Sequence, residues 1–319
     1  MKGILCIAAL ILVWSDICGQ NMPYTYQYLY NPNLINPSVT GSNKSTCITI
    51  CDRHQWLGWS GAPAIQSVTA TTRINQHGLG LALYNDRNGA LSNRGLKLSY
   101  AYHLKLGKFY NTTQHIALGV SFSGLQYLFS QEGLVTLVPG DQSVTGGSES
   151  ALFPDADVGV YFYDNSVRAG ISVMQLLSPN TFFGEDILSQ YRFYRRYCMH
   201  ASYLIRTSAY FMLEPGFVVK LSEDLRRQLD INIAGIYKEN YRFGMSYRRN
   251  MDEGAGQSLS MLIYGGVTFL ERYTLFYGYD AGMSQIYRGS GGTHEFGFRI
   301  CFGEALVKGN KNSPCPAYD

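Results

Sequence analysis

Six histidines, His54, His77, His103, His115, His200 and His294, are the first residues to weigh for chemistry. A zincin-type zinc site needs two histidines one helical turn apart with a glutamate between them. His294-Glu295 supplies only one histidine, and its neighbours alternate with the period of a strand. A hydrolase at the mouth of a barrel needs Ser/His/Asn or Asp/His groups within hydrogen-bond reach. His103 and His200, with Asp157 and Asp230, could share one interior, but a polar lining accounts for them equally well. Gly78-Leu79-Gly80 lacks the following helix that a phosphate loop requires. The expectation is therefore no catalytic residue, no metal and no cofactor.

The elements that would hold these groups are bounded by composition. Of 319 residues, 15% are charged, well below the roughly 25% of soluble domains. There are 25 Tyr, 16 Phe and 34 Gly, and 26 basic against 23 acidic residues give a net charge of +3. So even a balance excludes the basic footprint of a nucleic-acid binder. Mean hydropathy is −0.09, and beyond the N-terminus there is no run of about 20 apolar residues to cross a bilayer as a helix. An exported β-barrel satisfies all of these figures.

Lys2 followed by an apolar stretch from Ile4 to Trp14, then Ser15 and Asp16, reads as an export signal over residues 1–19, with cleavage expected after Gly19. Asp16-Ile17 before Cys18 makes a poor lipoprotein site. Residues 20–46 are rich in Pro, Asn and Tyr and read as an extended periplasmic or lumenal segment, with turns at Asn31-Pro32 and Asn36-Pro37. Residues 47–303 read as the barrel, and residues 304–319 as a polar tail.

Within 47–303 the period is two. From Leu96 to Leu106 every even position is apolar or aromatic and every odd one small or polar, and the pattern returns from Gln228 to Tyr237 and from Tyr241 to Arg248. About fourteen such strands are expected, among them 94–106 and 115–129. Very short links (Asp164-Asn165, Thr207-Ser208, Glu239-Asn240, Glu271-Arg272) alternate with long ones (Ser130–Phe153, Ser178–Tyr194, Asn250–Gln257, Gln285–Gly291). Tight periplasmic turns and larger outer loops give this parity in an outer-membrane barrel. The fold class expected is all-β, a transmembrane antiparallel β-barrel.

A spanning sheet must close on itself, because lipid offers no partner for an open edge. Leu96, Leu98, Tyr100, Tyr102 and Leu104 then face lipid, and Lys97, Ser99, His103 and Lys105 face inward. A lysine or arginine on the lipid face at mid-depth costs roughly 2–4 kcal/mol, which pins the register. The inward set also includes Arg53, Arg196, Arg206, Arg242, Arg248 and Arg299, against Asp157, Asp230 and Glu295. Such an interior is either an anion-preferring pore or a plugged lumen whose charges pair with one another and with the Asn-Pro segment; the plugged lumen is preferred.

Closure can be derived. If Ile48 and Ile50 face lipid on the first strand, Cys47, Cys51 and Arg53 face inward. If Phe296, Phe298 and Ile300 face lipid on the last, Glu295, Gly297 and Cys301 face inward. Antiparallel partners have a constant sum, so pairing Arg53 with Glu295 also sets Cys47 opposite Cys301 and Cys51 opposite Gly297. The expectation at this seam is an ion pair and two reduced thiols, with a disulfide as the other possibility.

Three segments carry a family resemblance. They are Tyr28-Leu29-Tyr30-Asn31-Pro32 through Asn36-Pro37 to Gly41; Arg53-His54-Gln55-Trp56-Leu57-Gly58 with Gly61-Ala62-Pro63; and Gly292-Thr293-His294-Glu295 with Pro314-Cys315-Pro316. With them the chain resembles the PorP/SprF family of type IX secretion and gliding systems. The resemblance implies a non-catalytic outer-membrane barrel that works with periplasmic and lipoprotein components of the secretion machine and supports export or anchoring of a large surface adhesin. The outer loops Ser130–Phe153 and Ser178–Tyr194 would touch that adhesin. The 20–46 segment, the Gly107–Gln114 turn and the tail would meet periplasmic partners. The other function class kept in view is an outer-membrane solute channel or transporter.

Overall fold

A computed structural model describes residues 25–109, 112–131, 147–178, 180–182, 190–251, 259–282 and 289–303. The expected export signal over 1–19, residues 20–24 and the tail over 304–319 lie outside the described residues, as do large parts of the outer loops. The first seven strands are β1 (Thr46–His54), β2 (Ala64–Ile74), β3 (His77–Asn88), β4 (Leu91–Phe109), β5 (Thr112–Ser130), β6 (Ser148–Tyr163) and β7 (Val167–Met174). A small ribbon follows, β8 (Asn180–Phe182) paired with β9 (Gln190–Arg192). The rest are β10 (Arg196–Tyr203), β11 (Ile205–Arg206), β12 (Phe211–Ser222), β13 (Arg227–Tyr237), β14 (Tyr241–Asn250), β15 (Leu259–Phe269), β16 (Tyr273–Gly282) and β17 (Thr293–Phe302).

From β1 to β7 and from β12 to β17 each strand pairs antiparallel with its sequence neighbour, β1 pairs with β17, and β10 pairs with both β7 and β12, so the sheet closes. Because β11 prolongs β10 along the same partner, the wall has fourteen staves. No backbone group on the wall's edge is left for lipid to satisfy. β4 and β5 run 19 residues each, longer than the 94–106 and 115–129 expected, with a bulge between Lys105 and Gly107. β6 starts at Ser148, so the Ser130–Phe153 link is shorter than its sequence suggests.

Alternation sorts the side chains. Leu96, Leu98, Tyr100 and Leu104 are exposed on the outer face, while Lys97, Ser99 and His103 are buried inside. Two inward assignments fail. Lys105 is exposed beside the Gly107 bulge, where the inward–outward phase is lost. Arg206 is exposed although β11 keeps the register of β10 against β12: it lies on the last rung before the Thr207-Ser208 turn, at the rim of the wall.

Three 3₁₀ turns, Gln27–Leu29, Pro32–Leu34 and Pro37–Val39, lie inside the wall. The Asn-Pro steps open the second and third: proline's fixed φ and missing N–H suit the first position of a helical turn. The 20–46 segment, expected to be extended, is compact over its described part. Its apolar side chains supply the core: Tyr26, Tyr28 and Ile35 pack against Val218, Ala234, Leu262 and Tyr264, and Val39 against Ala117, Tyr161 and Tyr163.

Candidate functional site in the barrel lumen

The lumenal segment crosses from one side of the wall to the other, held at each residue type by a matching partner. At its start, the Arg248 guanidinium lies 3.7 Å from the Tyr26 ring centroid, and Arg248 Nη2 donates to the Thr25 carbonyl (3.3 Å). Tyr26 OH and Ser260 Oγ share a 2.9 Å hydrogen bond. Tyr28 OH donates to Asp230 Oδ2 (2.7 Å), with Lys220 Nζ 4.9 Å above its ring. Burial pushes the Tyr28 phenol well above its ordinary range, and the Asp230 carboxylate adds to the effect. Ser67 Oγ donates to Gln27 Oε1 (2.9 Å), Asn31 donates to Thr69 Oγ1, and Tyr30 stacks on Phe276 at 3.9 Å between centroids.

Asn36 is fully buried and uses both ends of its amide. Its Oδ1 caps the third turn by accepting from the Ser38 N–H (3.0 Å). Its Nδ2 donates to the Val160 carbonyl (3.1 Å), the Ile171 carbonyl (3.4 Å) and His200 Nε2 (3.2 Å). An amide nitrogen can only donate, so His200 Nε2 is the acceptor. By the same logic His103 Nε2 donates to the Thr40 carbonyl (2.9 Å), and its Nδ1 accepts from Tyr163 OH (3.0 Å).

Close approach to the wall depends on glycine. A Cβ at Gly78 would sit 2.0 Å from the Thr40 oxygen, one at Gly119 2.2 Å from the Ser38 nitrogen, and one at Gly159 2.1 Å from Asn36 Oδ1. These three, on β3, β5 and β6, form a trough that any side chain would fill. Gly41 leaves the trough at φ +73°, with its own Cβ position 2.7 Å from Gly78 Cα.

The remaining interior charges pair among themselves. Arg53 meets Glu295 (2.9 Å) and Asp280 (3.4 Å), Lys97 meets Asp157 (2.6 Å), and Arg248 meets Asp230 (2.8 Å). Glu214 receives both Arg168 and Arg242 at 2.8 Å, and Arg196 donates to Gln175. Asp280, Glu214, Arg168 and Lys220 were absent from the inward set read from the sequence. The histidines and aspartates considered for hydrolysis are engaged elsewhere: His103 with Thr40 and Tyr163, His200 with Asn36, Asp157 with Lys97, Asp230 with Arg248. Between the segment and the short-turn end lies a cavity of about 300 Å³, lined by Tyr28, Tyr30, Glu214, Arg242, Tyr264 and the turn residues Glu239 and Arg272.

At the seam, Arg53 stands opposite Glu295, Cys51 opposite Gly297 and Cys47 opposite Cys301. The expected reduced thiols are corrected here: Cys47 and Cys301 are bonded, while Cys51 stays free and buried. Direct opposition on a narrow antiparallel pair brings the Cα atoms to 4.1 Å, and the sulfurs share the same inward face.

The other two family-like segments meet at the long-link rim. Leu57 N–H donates to the Gly292 carbonyl (2.9 Å) and Gly291 N–H to the Leu57 carbonyl (2.8 Å). Gln55 N–H donates to Pro63, Trp56 takes φ +49° and Gly58 φ +98° as the loop folds over. His294 Nε2 donates to the Gly291 carbonyl (3.1 Å), and its Nδ1 accepts from Tyr277 OH (2.8 Å). Thr293 is wholly buried beside it.

A solved outer-membrane channel shares the architecture. The chain is similar to the CymD monoaromatic hydrocarbon channel, at 9% identity over 89% of this chain and 94% of that one, with a TM-score of 0.50. It is also similar to the outer membrane protein Omp33 of Acinetobacter baumannii, at 6% identity over 82% and 99%, with a TM-score of 0.43. Identities this low speak to the fold alone. No curated protein matches the chain. A family model described as the type IX secretion system membrane protein PorP/SprF matches residues 17–300, which takes in the lumenal segment, the rim and all but the last residues of the wall. The chain belongs to the PorP/SprF family and is a β-barrel of the outer membrane in the type IX secretion system.

Proposed function

We propose that this barrel is a non-catalytic accessory of type IX secretion and gliding, supporting export or surface anchoring of a large adhesin through protein contacts rather than by conducting solutes. The observation that supports this most is the occupied lumen: residues 25–45 are tied to wall strands β2, β4, β6, β7, β10, β13, β14 and β15 by side-chain and backbone hydrogen bonds. In this reading residues 1–19 are the export signal, removed after Gly19. The 20–46 segment, the β4–β5 projection and the 304–319 tail meet periplasmic and lipoprotein components, and the outer loops meet the adhesin.

Deleting residues 24–41 tests it. The barrel is expected to stay folded, shown by heat-modifiable migration on a denaturing gel, while secretion or gliding stops and secretion components are lost from outer-membrane pull-downs. Normal secretion by this variant overturns the reading. The cavity of about 300 Å³ favours a solute channel as the second reading. Steady single-channel conductance by the intact protein in a planar bilayer would support that reading; silence, with conductance appearing after the deletion, supports the accessory barrel.

A further inference from the structure

On the outer face of β1–β5 the lipid-facing side chains change character between two successive rungs. Ile50, Val68, Leu83, Leu96 and Gly124 are paired in one rung. In the next, toward the long-link end, Asp52, Gln66, Asn85, Arg94 and Gln126 are paired. The polar rung is hydrogen-bonded from one side: Gln66 Nε2 donates to Asp52 Oδ1 (3.0 Å) and Asn85 Nδ2 to Gln66 Oε1 (2.9 Å). Asp52 is further engaged by His54 (2.8 Å), so the one acid of the rung is already occupied.

The Arg94 side chain is exposed and has no hydrogen bond or ion pair to the protein among the described residues. The same holds for Arg87, on the same face of β3. Arg87 pairs with Ser92, two residues from Arg94, so the two arginines are diagonal neighbours, a relation that spans about 7–8 Å between strands. One phosphate can accept from both guanidiniums at that spacing. Directly below, Gly124 puts no side chain on the lipid face, and a Cβ there would meet nothing within 4 Å. The result is a groove of about 620 Å³ whose floor is Leu83, Leu96 and Gly124 and whose upper edge is Arg94 and Gln126.

We propose that this groove binds a phosphate-bearing glycolipid of the outer leaflet, with its phosphate on Arg87 and Arg94 and an acyl chain in the notch at Gly124. A guanidinium immediately beyond an aliphatic rung stands where hydrocarbon gives way to headgroups. The anion present there is the lipid's own phosphate, and the uncharged amides of Asn85 and Gln126 can meet its sugar hydroxyls.

The test is native mass spectrometry of the full-length barrel extracted from outer membranes in mild detergent. The wild type is expected to keep a phosphorylated glycolipid. Retention should fall about tenfold or more in Arg87→Gln/Arg94→Gln, and likewise in Gly124→Leu, which fills the notch but keeps both charges. Reconstitution with enzymatically dephosphorylated glycolipid should give the same loss in the wild type, an arm that needs no variant to fold. Equal retention by the arginine variant, or by dephosphorylated lipid, overturns the proposal. So does displacement of the lipid by inorganic phosphate alone, which would make this a free-anion site, or a protein cross-linked to Arg94 in its place.

Discussion

Cys47 and Cys301 face one another across the β1–β17 seam, with Cα atoms 4.1 Å apart and their sulfurs bonded, so the barrel is closed covalently as well as by its hydrogen-bond ladder. The bond joins residues 254 apart in sequence. A link across so long a loop restricts the unfolded chain strongly, and its loss costs roughly 2–5 kcal/mol. Cys47→Ser is expected to lower the temperature at which the folded band converts to the unfolded one on a gel, and reductant should do the same to the wild type. A peptide map under non-reducing conditions should recover the residue 47 and residue 301 peptides joined. Unchanged thermal behaviour would mean the ladder alone closes this seam.

At the other end of the seam, Arg53 neutralises Glu295 and Asp280 together, all three buried. Arg53→Ala takes from two buried carboxylates the guanidinium that contacts both, a change that costs about 3–5 kcal/mol. Urea unfolding in detergent micelles should show that loss. Arg53→Ala combined with Glu295→Gln and Asp280→Asn should recover most of it, because the desolvated charges go too. A single variant as stable as the wild type would show that water reaches this site freely.

The closing register was legible because it needs only parity and one sum: Arg53 with Glu295 and Cys47 with Cys301 satisfy the same alignment. Parity also placed Lys97, His103 and Asp230 inside and Leu96 and Leu98 outside. It failed at the Lys105–Gly107 bulge, where parity itself breaks, and at Arg206, where an inward-phased side chain lies at the rim and is no longer enclosed. Glu214 escaped notice for another reason. Its partners Arg168 and Arg242 lie on β7 and β14, neither of them adjacent to β12, so no cross-strand rule connects them. The Asn-Pro steps announced turns, but how closely these turns approach the wall depends on glycines at 78, 119 and 159, whose common role appears only when the four strands β3 to β6 are side by side.

That trough gives a direct handle on the lumenal segment. Gly119→Val would drive a side chain into the Ser38 backbone, and overpacking of this kind costs about 1–3 kcal/mol. The wall can relieve the clash by releasing the segment, since its own ladder does not require Gly119 to be small. Limited proteolysis should then cut within residues 25–45 at least several-fold faster than in the wild type, and a Ser38→Cys reporter should become reactive to a water-soluble thiol reagent. Gly265→Val, on the outer face of β15, where a Cβ meets only the Arg242 carbonyl at 3.6 Å, is the matched control. Equal protection of the segment in both variants would show that it is held by the barrel ends rather than by the trough.

The phenols of Tyr26, Tyr28 and Tyr30 offer a second handle that needs no bulky substitution. Burial raises all three above the ordinary value near 10, more than the nearby arginines lower them. Where the docked form holds its proton more tightly than the released form, docking is at full strength below the ordinary value. It weakens as pH climbs above about 10 toward the raised values. The segment should therefore loosen in alkali while the wall, held by its ladder and disulfide, stays closed. Ultraviolet titration should show these three tyrosines ionising above the ordinary phenol range, and protease sensitivity of residues 25–45 should rise over the same alkaline interval. A Tyr26→Phe/Tyr28→Phe/Tyr30→Phe variant should lose that pH dependence. Release at an unchanged pH in the triple variant would place the alkaline trigger elsewhere in the lumen.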